Sequence, residues 1–302
     1  MSGELLAILE LYEQAGIPAV PFKGPVLAVQ AYGDVALREF RDLDILVTRG
    51  AIRPARELLL ARGFSAESDP PWYWHQRLRR DDGLIVELHS EFAPPEFPYP
   101  IRAADVWSRL EPVRLGGRTV HSLTGEDLAL LLCAHGAKHL WERRAWIGDI
   151  AALLARRPDL DWDSVLARAR QSGAERIVLL ALHLANELLG APLPTTVAAR
   201  VRADATVRSL GERVRARLSA APQPPTTWET RAFYWRVRER WPDRLRDFAR
   251  VLLTPRPVDL RVVELPNRLY ALYYLIRPLR LAAKYGARLL RVVRVRSHGR
   301  VA

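Results

Sequence analysis

Residues 42–47 read Asp-Leu-Asp-Ile-Leu-Val, a short apolar run that carries two acids two positions apart. A run this short, rich in aliphatic and branched residues, predicts a strand. Side chains alternate between the faces of a strand, so Asp42 and Asp44 share one face while Leu43 and Ile45 turn into a core. Two carboxylates held this close repel and raise each other's pKa unless a counter-charge lies between them. A hard divalent cation, Mg²⁺ or Mn²⁺, supplies that charge, and paired cations can clamp the attacking and leaving oxygens of a phosphoryl transfer. The spacing alone is unspecific, because Asp159, Asp161 and Asp163 repeat it. That run follows Pro158 and precedes Ser-Val-Leu-Ala-Arg, which predicts helix capping instead.

Context sets Asp42 and Asp44 apart. Upstream, residues 17–22 form a short apolar strand that runs into Lys23-Gly24, and Pro25 is suited to open a helix to about Tyr32. Free amides at a helix start bind phosphate; Gly24 permits close backbone approach, and Lys23 adds a point charge. Arg38 and Arg41 stand on the loop before the acids, within reach of the same triphosphate. Solvated bases around a tight turn are the plain alternative. Glu87 supplies a third acid in Leu-Ile-Val-Glu-Leu-His, where apolar neighbours make a charge costly. Asp81-Asp82-Gly83, between two strand-like runs, predicts the hairpin that carries it.

Further along, residues 51–62 predict a helix closed by Gly63, and 113–121 a second hairpin turning at Gly116-Gly117. From Thr124, which with Asp127 fits a capped start, the texture becomes helical: one long helix to about Arg156, then helices near 162–172, 173–190, 195–219, 228–240, 242–253 and 266–296. The architecture expected is α+β over residues 1–125, followed by an all-helical domain over 126–302. Charge divides similarly. Residues 1–125 hold 14 basic and 17 acidic side chains, and residues 126–302 hold 32 and 17. The basic half favours anionic partners such as nucleotides, nucleic acid or a membrane surface; an arginine-biased coding composition accounts for it equally, since only three of the 46 basic residues are lysine.

No apolar run reaches the roughly 18–20 residues that span a bilayer, and the acid-bearing start reads as a first helix, so the expected compartment is the cytosol. The single cysteine, Cys133, excludes an intramolecular disulfide framework and a cysteine-cluster metal site; its apolar surroundings predict an inert buried thiol.

In the helical half, His135, Lys138, His139 and Asp149 fall on the long predicted helix, with His135 and His139 on one face. Holding a triphosphate or acceptor and hydrogen-bonding between helices are the main readings of the histidines, with a His-x₃-His zinc site the weaker third because no glutamate follows the first histidine; Asp149 packs or orients one of these bases. Arg277, Arg280, Lys284, Arg288 and Arg291 recur at three- and four-residue spacing as a basic stripe, read as facing the acidic N-terminal half, nucleic acid or anionic lipid. Tyr270, Tyr273 and Tyr274 follow helical spacing and read as core.

The ordered set Phe-Lys-Gly-Pro (22–25), Arg-Asp-Leu-Asp-Ile-Leu-Val (41–47), Gly-Phe (63–64) and Ile-Val-Glu-Leu-His (85–89) resembles an uncharacterised nucleotidyltransferase family of the polymerase-β-like superfamily. The resemblance continues through 135–154 and 269–286. It implies a nucleotidyltransferase domain, a small mixed sheet flanked by helices, ahead of the helical domain. It implies Mg²⁺-dependent transfer of a nucleoside monophosphate from an NTP to an acceptor, with release of pyrophosphate. Asp42 and Asp44 match the paired metal-binding acids, Glu87 the third acid, and Gly24 the glycine of the superfamily's Gly-Ser signature. Pro25 stands where that serine would be, so its phosphate-contacting hydroxyl is absent. Two other readings stand beside transfer to a small molecule, peptide or RNA: a non-catalytic nucleotide- or nucleic-acid-binding protein, and a phosphotransferase using the same acids.

Overall fold

The computed structural model describes residues 1–67, 74–93, 97–221, 223–254 and 272–283. The chain divides into two compact units, Met1–Glu239 and Arg240–Ala302. Among the described residues no helix is long and apolar enough to cross a membrane.

The first unit begins with α1 (Ser2–Gln14), which buries Leu5, Ile8 and Tyr12 at helical spacing. Then β1 (Ala19–Pro21) passes through Lys23-Gly24 into α2 (Pro25–Leu27), with Pro25 in its first turn, continued by a π turn over Ala28–Tyr32. Next come β2 (Asp42–Val47), α3 (Ile52–Ala61), β3 (Phe64–Ala66), β4 (His75–Arg80) and β5 (Ile85–His89). The expected hairpin joins β4 to β5, where Gly83 takes a φ of +89° and the Asp82 carboxylate accepts from the Leu84 amide. After α4 (Ala103–Val106), β6 (Glu111–Leu115) and β7 (Arg118–Ser122) form the second hairpin, with Gly116 and Gly117 both at positive φ.

The five-stranded sheet has the order β1-β2-β5-β4-β3. Only β2 and β5 run parallel within it; the other neighbours are antiparallel. Strand alternation divides its side chains between two cores. Leu43, Ile45, Val47, Val86 and Leu88 join one cluster with residues of α1 and α3. Leu46 joins the other, built mainly from the helices that follow. Asp42 and Asp44 share the parity of Leu46, so the acids face the helical layer. Leu43 and Ile45 are fully buried; each contributes about 1.5–3 kcal/mol by leaving water, and together they lock the register that aims the acids.

Thr124 caps α5 (Gly125–Lys138) through the Asp127 amide. The long helix expected to Arg156 is instead two, because the chain breaks at residues 139–143 before α6 (Arg144–Arg156). Leu140 and Trp141 adopt left-handed backbone there, and the Trp141 amide returns to the Gly136 carbonyl at 2.8 Å. Burial of the whole Trp141 side chain outweighs the cost of that conformation. Asp161 caps α7 (Trp162–Gln171), as its run predicts, and α8 (Glu175–Leu189) ends at left-handed Gly190. The helix expected over 195–219 is also two, α9 (Thr195–Ala203) and α10 (Ala205–Ser219). The Asp204 carboxylate accepts from the Thr206 and Val207 amides and so starts a new helix between them. A capping box opens α11 (Thr227–Val237). Residues on both sides of Thr124, from Val20 and Phe22 to Val237, belong to one apolar cluster.

In the second unit, α12 (Trp241–Leu253) is followed by helical residues 273–283. Tyr273 is buried, as read, whereas Tyr274, also read as core, is exposed. Arg277 does not lie on an exposed stripe: it is buried and donates to the Val251 carbonyl in the last turn of α12, which has no partner within its own helix. Tyr270, Lys284, Arg288 and Arg291 lie outside the described residues.

Candidate functional site

The parallel pairing of β2 with β5 sets Asp44 directly opposite Glu87. Alternation along β2 adds Asp42, so three carboxylates from two neighbouring strands share one face. Lys23 is brought to them by the end of β1, where the Phe22 amide donates to the Asp44 carbonyl at 3.2 Å. Its Nζ lies 2.8 Å from Asp44 Oδ1, with both side chains largely out of solvent. Gly24 has a φ of +58°, and a Cβ there would sit 3.1 Å from the Asp42 carbonyl oxygen. A glycine therefore lets the turn press against β2 without strain.

The strand beyond adds more. Arg77 of β4 is opposite Glu87, its Nη1 3.7 Å from Oε1. His75 Nε2 lies 3.2 Å from Glu87 Oε2; His89 Nε2 lies 3.2 Å from Asp44 Oδ1 and 3.7 Å from Glu87 Oε2. Sequence reasoning missed His75 and His89. The signal for His89 was present, since Glu87 and His89 are two apart in one strand, the same spacing that pairs Asp42 with Asp44.

The three acids are not equivalent. Burial, then the negative charges of Asp44 and Glu87, raise the Asp42 carboxyl above the ordinary range. Burial also opposes ionisation of Asp44, but Lys23 and His89 outweigh it and hold its carboxyl low. At Glu87 burial is likewise overcome, by the imidazoles of His75 and His89 that approach its carboxylate. So Asp44 and Glu87 are firmly anionic, while Asp42 carries uncompensated repulsion. An all-oxygen set with a charge deficit of this kind fits a hard divalent cation.

Helices α5 and α6 supply a second layer. Burial, then the positive charge of Lys23, pushes Lys138 down to about 8, opposed by Glu87 and Asp44. His135 and His139 meet edge to face with ring centroids 4.9 Å apart, and Trp146 packs on both at 5.1 and 5.2 Å. Burial drives His135 well below its ordinary pKa and His139 to about 4, so both are neutral at pH 7. Asp149 is on α6, not on one helix with the histidines. It is buried, accepts from Arg38 Nε and Nη2 at 2.8 and 3.0 Å, and accepts from the Tyr32 hydroxyl at 2.8 Å. It thus orients the loop before β2. Arg41 on the same loop is exposed. Cys133 is buried, and burial pushes its thiol up, as expected of an inert group.

No curated protein sequence matches the chain as a relative. Among solved structures it is similar to the antibiotic-resistance factor ANT(2'')-Ia in solution, with TM-score 0.41 and 13% identity over 56% of this chain and 89% of that one. It is also similar to ANT(2'')-Ia in complex with adenylyl-2''-tobramycin, with TM-score 0.34 and 12% identity over 72% and 98%. An antigenic nucleotidyltransferase-like protein from Paracoccidioides brasiliensis gives TM-score 0.38 and 14% identity over 67% and 92%. The sequence model of a family described as uncharacterised nucleotidyltransferase matches residues 1–190, a span that contains the three acids, Lys23-Gly24 and the α5–α6 layer. The chain belongs to that family and is a nucleotidyltransferase.

Proposed function

We propose that the chain transfers a nucleoside monophosphate from an NTP to an acceptor hydroxyl or phosphate, with Asp42, Asp44 and Glu87 holding Mg²⁺, or Mn²⁺ in its place. The observation that carries this reading is the pairing of Asp44 with Glu87 on parallel strands, with Asp42 on the same face. The cation, when bound, offsets the charge of the triphosphate and of the leaving pyrophosphate. In the reaction the acceptor oxygen forms a bond to the α-phosphorus, the bridging bond to the β-phosphate breaks to release pyrophosphate, and the proton of an acceptor hydroxyl passes to solvent.

The chain's own residues bind and orient. Lys23 and Lys138 place positive charge beside the acids, and Gly24 keeps the backbone close enough for a phosphate to rest against it. Arg38, fixed by Asp149, and exposed Arg41 flank the entrance to β2 and complete the cationic rim. Glu87, held low by its imidazole neighbours, stays deprotonated; it is the group assigned to the acceptor side, where it keeps the attacking oxygen in place. Positioning and preorganised charge of this kind supply most of the rate in such reactions.

The test uses purified protein, Mg²⁺ and each NTP labelled either at the α- or at the γ-phosphate, with cell lysate as acceptor. The proposal expects the α-label on an acceptor, pyrophosphate in solution, and a product that names the acceptor as small molecule, peptide or RNA. Movement of the γ-label with nucleoside diphosphate left behind would instead identify a phosphotransferase. Saturable NTP binding with neither label moved would identify a binding protein.

A further inference from the structure

His89 ends β5 with only 6% of its surface exposed. Its ring stands edge-on to Phe22 at 5.1 Å and lies 4.8 Å from that of His75, tilted by 51°. Neither ring nitrogen makes a hydrogen bond, an unfavourable state for a buried polar group. Its Nε2 is nevertheless aimed at anionic oxygens, 3.2 Å from Asp44 Oδ1 and 3.7 Å from Glu87 Oε2. His75 Nε2 approaches that same Glu87 Oε2 to 3.2 Å from the neighbouring strand. Donor atoms of His75, Glu87 and His89 all lie within 4.8 Å of one another.

Two imidazole nitrogens and one carboxylate oxygen converging on a point are a ligand set. Atoms held about 2.0–2.2 Å from a tetrahedral centre stand roughly 3.4 Å apart; the two nitrogen–oxygen separations here, 3.2 and 3.7 Å, bracket that value. Arg77 approaches the other oxygen of Glu87 and so leaves Oε2 to the centre, as outer partners of metal-binding carboxylates do. The nitrogen donors distinguish the set from Asp42 and Asp44, because imidazole suits borderline transition metals and carboxylate oxygen suits Mg²⁺.

We propose that His75, Glu87 and His89 form a binding site for a borderline divalent transition metal of the Zn²⁺ kind, beside the hard-oxygen set and sharing only Glu87 with it. The site does not depend on the nucleotidyl-transfer reading. A cation there would give the His89 nitrogen a directed bond that no hydrogen bond supplies, and would fix the orientation of Glu87.

The test titrates Co²⁺, a visible-absorbing stand-in for Zn²⁺, into the full-length protein after chelator treatment. Wild type is expected to take up one Co²⁺ with ligand-field bands displaced by Zn²⁺ but not by excess Mg²⁺. His75→Ala, at a part-exposed position that leaves the core packed, is expected to weaken binding by at least roughly 10–100-fold, the loss seen even for outer-shell partners. His89→Gln is expected to do the same, with circular dichroism verifying its fold. Asp42→Asn is expected to stay far closer to wild type. Unchanged affinity in His75→Ala, or loss confined to Asp42→Asn, would overturn the proposal by placing the cation on the aspartates. Absence of Co²⁺ binding in a wild-type sample that transfers α-label would also overturn it while leaving the transferase reading intact. Co²⁺ binding that needs His75, in a sample that transfers no label, would support the site and count against the transferase reading alone.

Discussion

At the scale of the residue, burial and named neighbours together set the charge of Asp42, Asp44 and Glu87. His139 gives the most direct pH test. Burial, then the charges of Lys138 and Lys23, hold its folded pKa near 4 against an ordinary 6.5. Between those values the unfolded chain binds a proton that the folded chain refuses, so this residue's contribution makes stability rise with pH across that window. It is fully present above about 6.5 and is lost as pH falls toward 4. His139→Asn, at the end of α5 where asparagine is tolerated, should therefore show a shallower fall of melting temperature from pH 6.5 to 4 than wild type. Equal slopes in the two proteins would contradict the burial argument. Alternation was enough to place Asp42 and Asp44 on one face; Glu87 was added from its apolar strand and the family resemblance, and the parallel register that sets it opposite Asp44 is a tertiary fact. The partners that tune them, His75 and Arg77, come from β4, and their contacts depend on a hairpin register that local pattern does not specify. Asp149 was expected to pack or to orient His135, Lys138 or His139; its partners are instead Arg38 and Tyr32, more than a hundred residues away in sequence.

At the scale of the element, strands and turns were easier to read than helix ends. Asp82-Gly83 and Gly116-Gly117 mark their hairpins because only certain residues accept those dihedrals without cost. The break between α5 and α6 carries no proline and follows no turn signature: its cause is a tertiary one, the packing of Trp141 over Gly136. A Cβ on Gly136 would fall inside the Trp141 indole. Gly136→Ala should therefore destabilise the protein by about 1–3 kcal/mol or more through overpacking, even though alanine favours a helix. Urea unfolding measures this; a variant as stable as wild type would show that Trp141 can move and that the break is not held by its packing. Because α5 ends in His135, Lys138 and His139, loosening this corner should also lower transfer activity.

At the scale of the whole molecule, the sheet and the first helices of the following layer are joined by burial and by charge. Asp127 of α5 is fully buried and accepts from Arg109, at 2.7 and 3.1 Å, and from Arg168 of α7. Asp127→Ala would leave two guanidiniums without their shared anion. The cost should be about 3 kcal/mol, toward the lower end for broken buried pairs because both arginines reach solvent. Chemical denaturation should register it as a lower midpoint for a transition that includes sheet and helices together. A change confined to helical signals would contradict the view that they share one core. The charge contrast between the two parts of the sequence was readable at once, but the basic stripe was not: Arg277 is spent on a helix carbonyl, a use that periodicity cannot distinguish from a ligand surface. The acidic face of β2 and β5 is the centre of the molecule's proposed chemistry. The most direct test is α-label transfer by Asp42→Asn beside its thermal unfolding. Asparagine keeps the shape and removes a charge that its neighbours oppose, so the variant should lose transfer by at least about 10²–10³-fold, as loss of a preorganised charge-stabilising group does, while melting at or above the wild-type temperature. Transfer at the wild-type rate by this folded variant would contradict the assignment of the site.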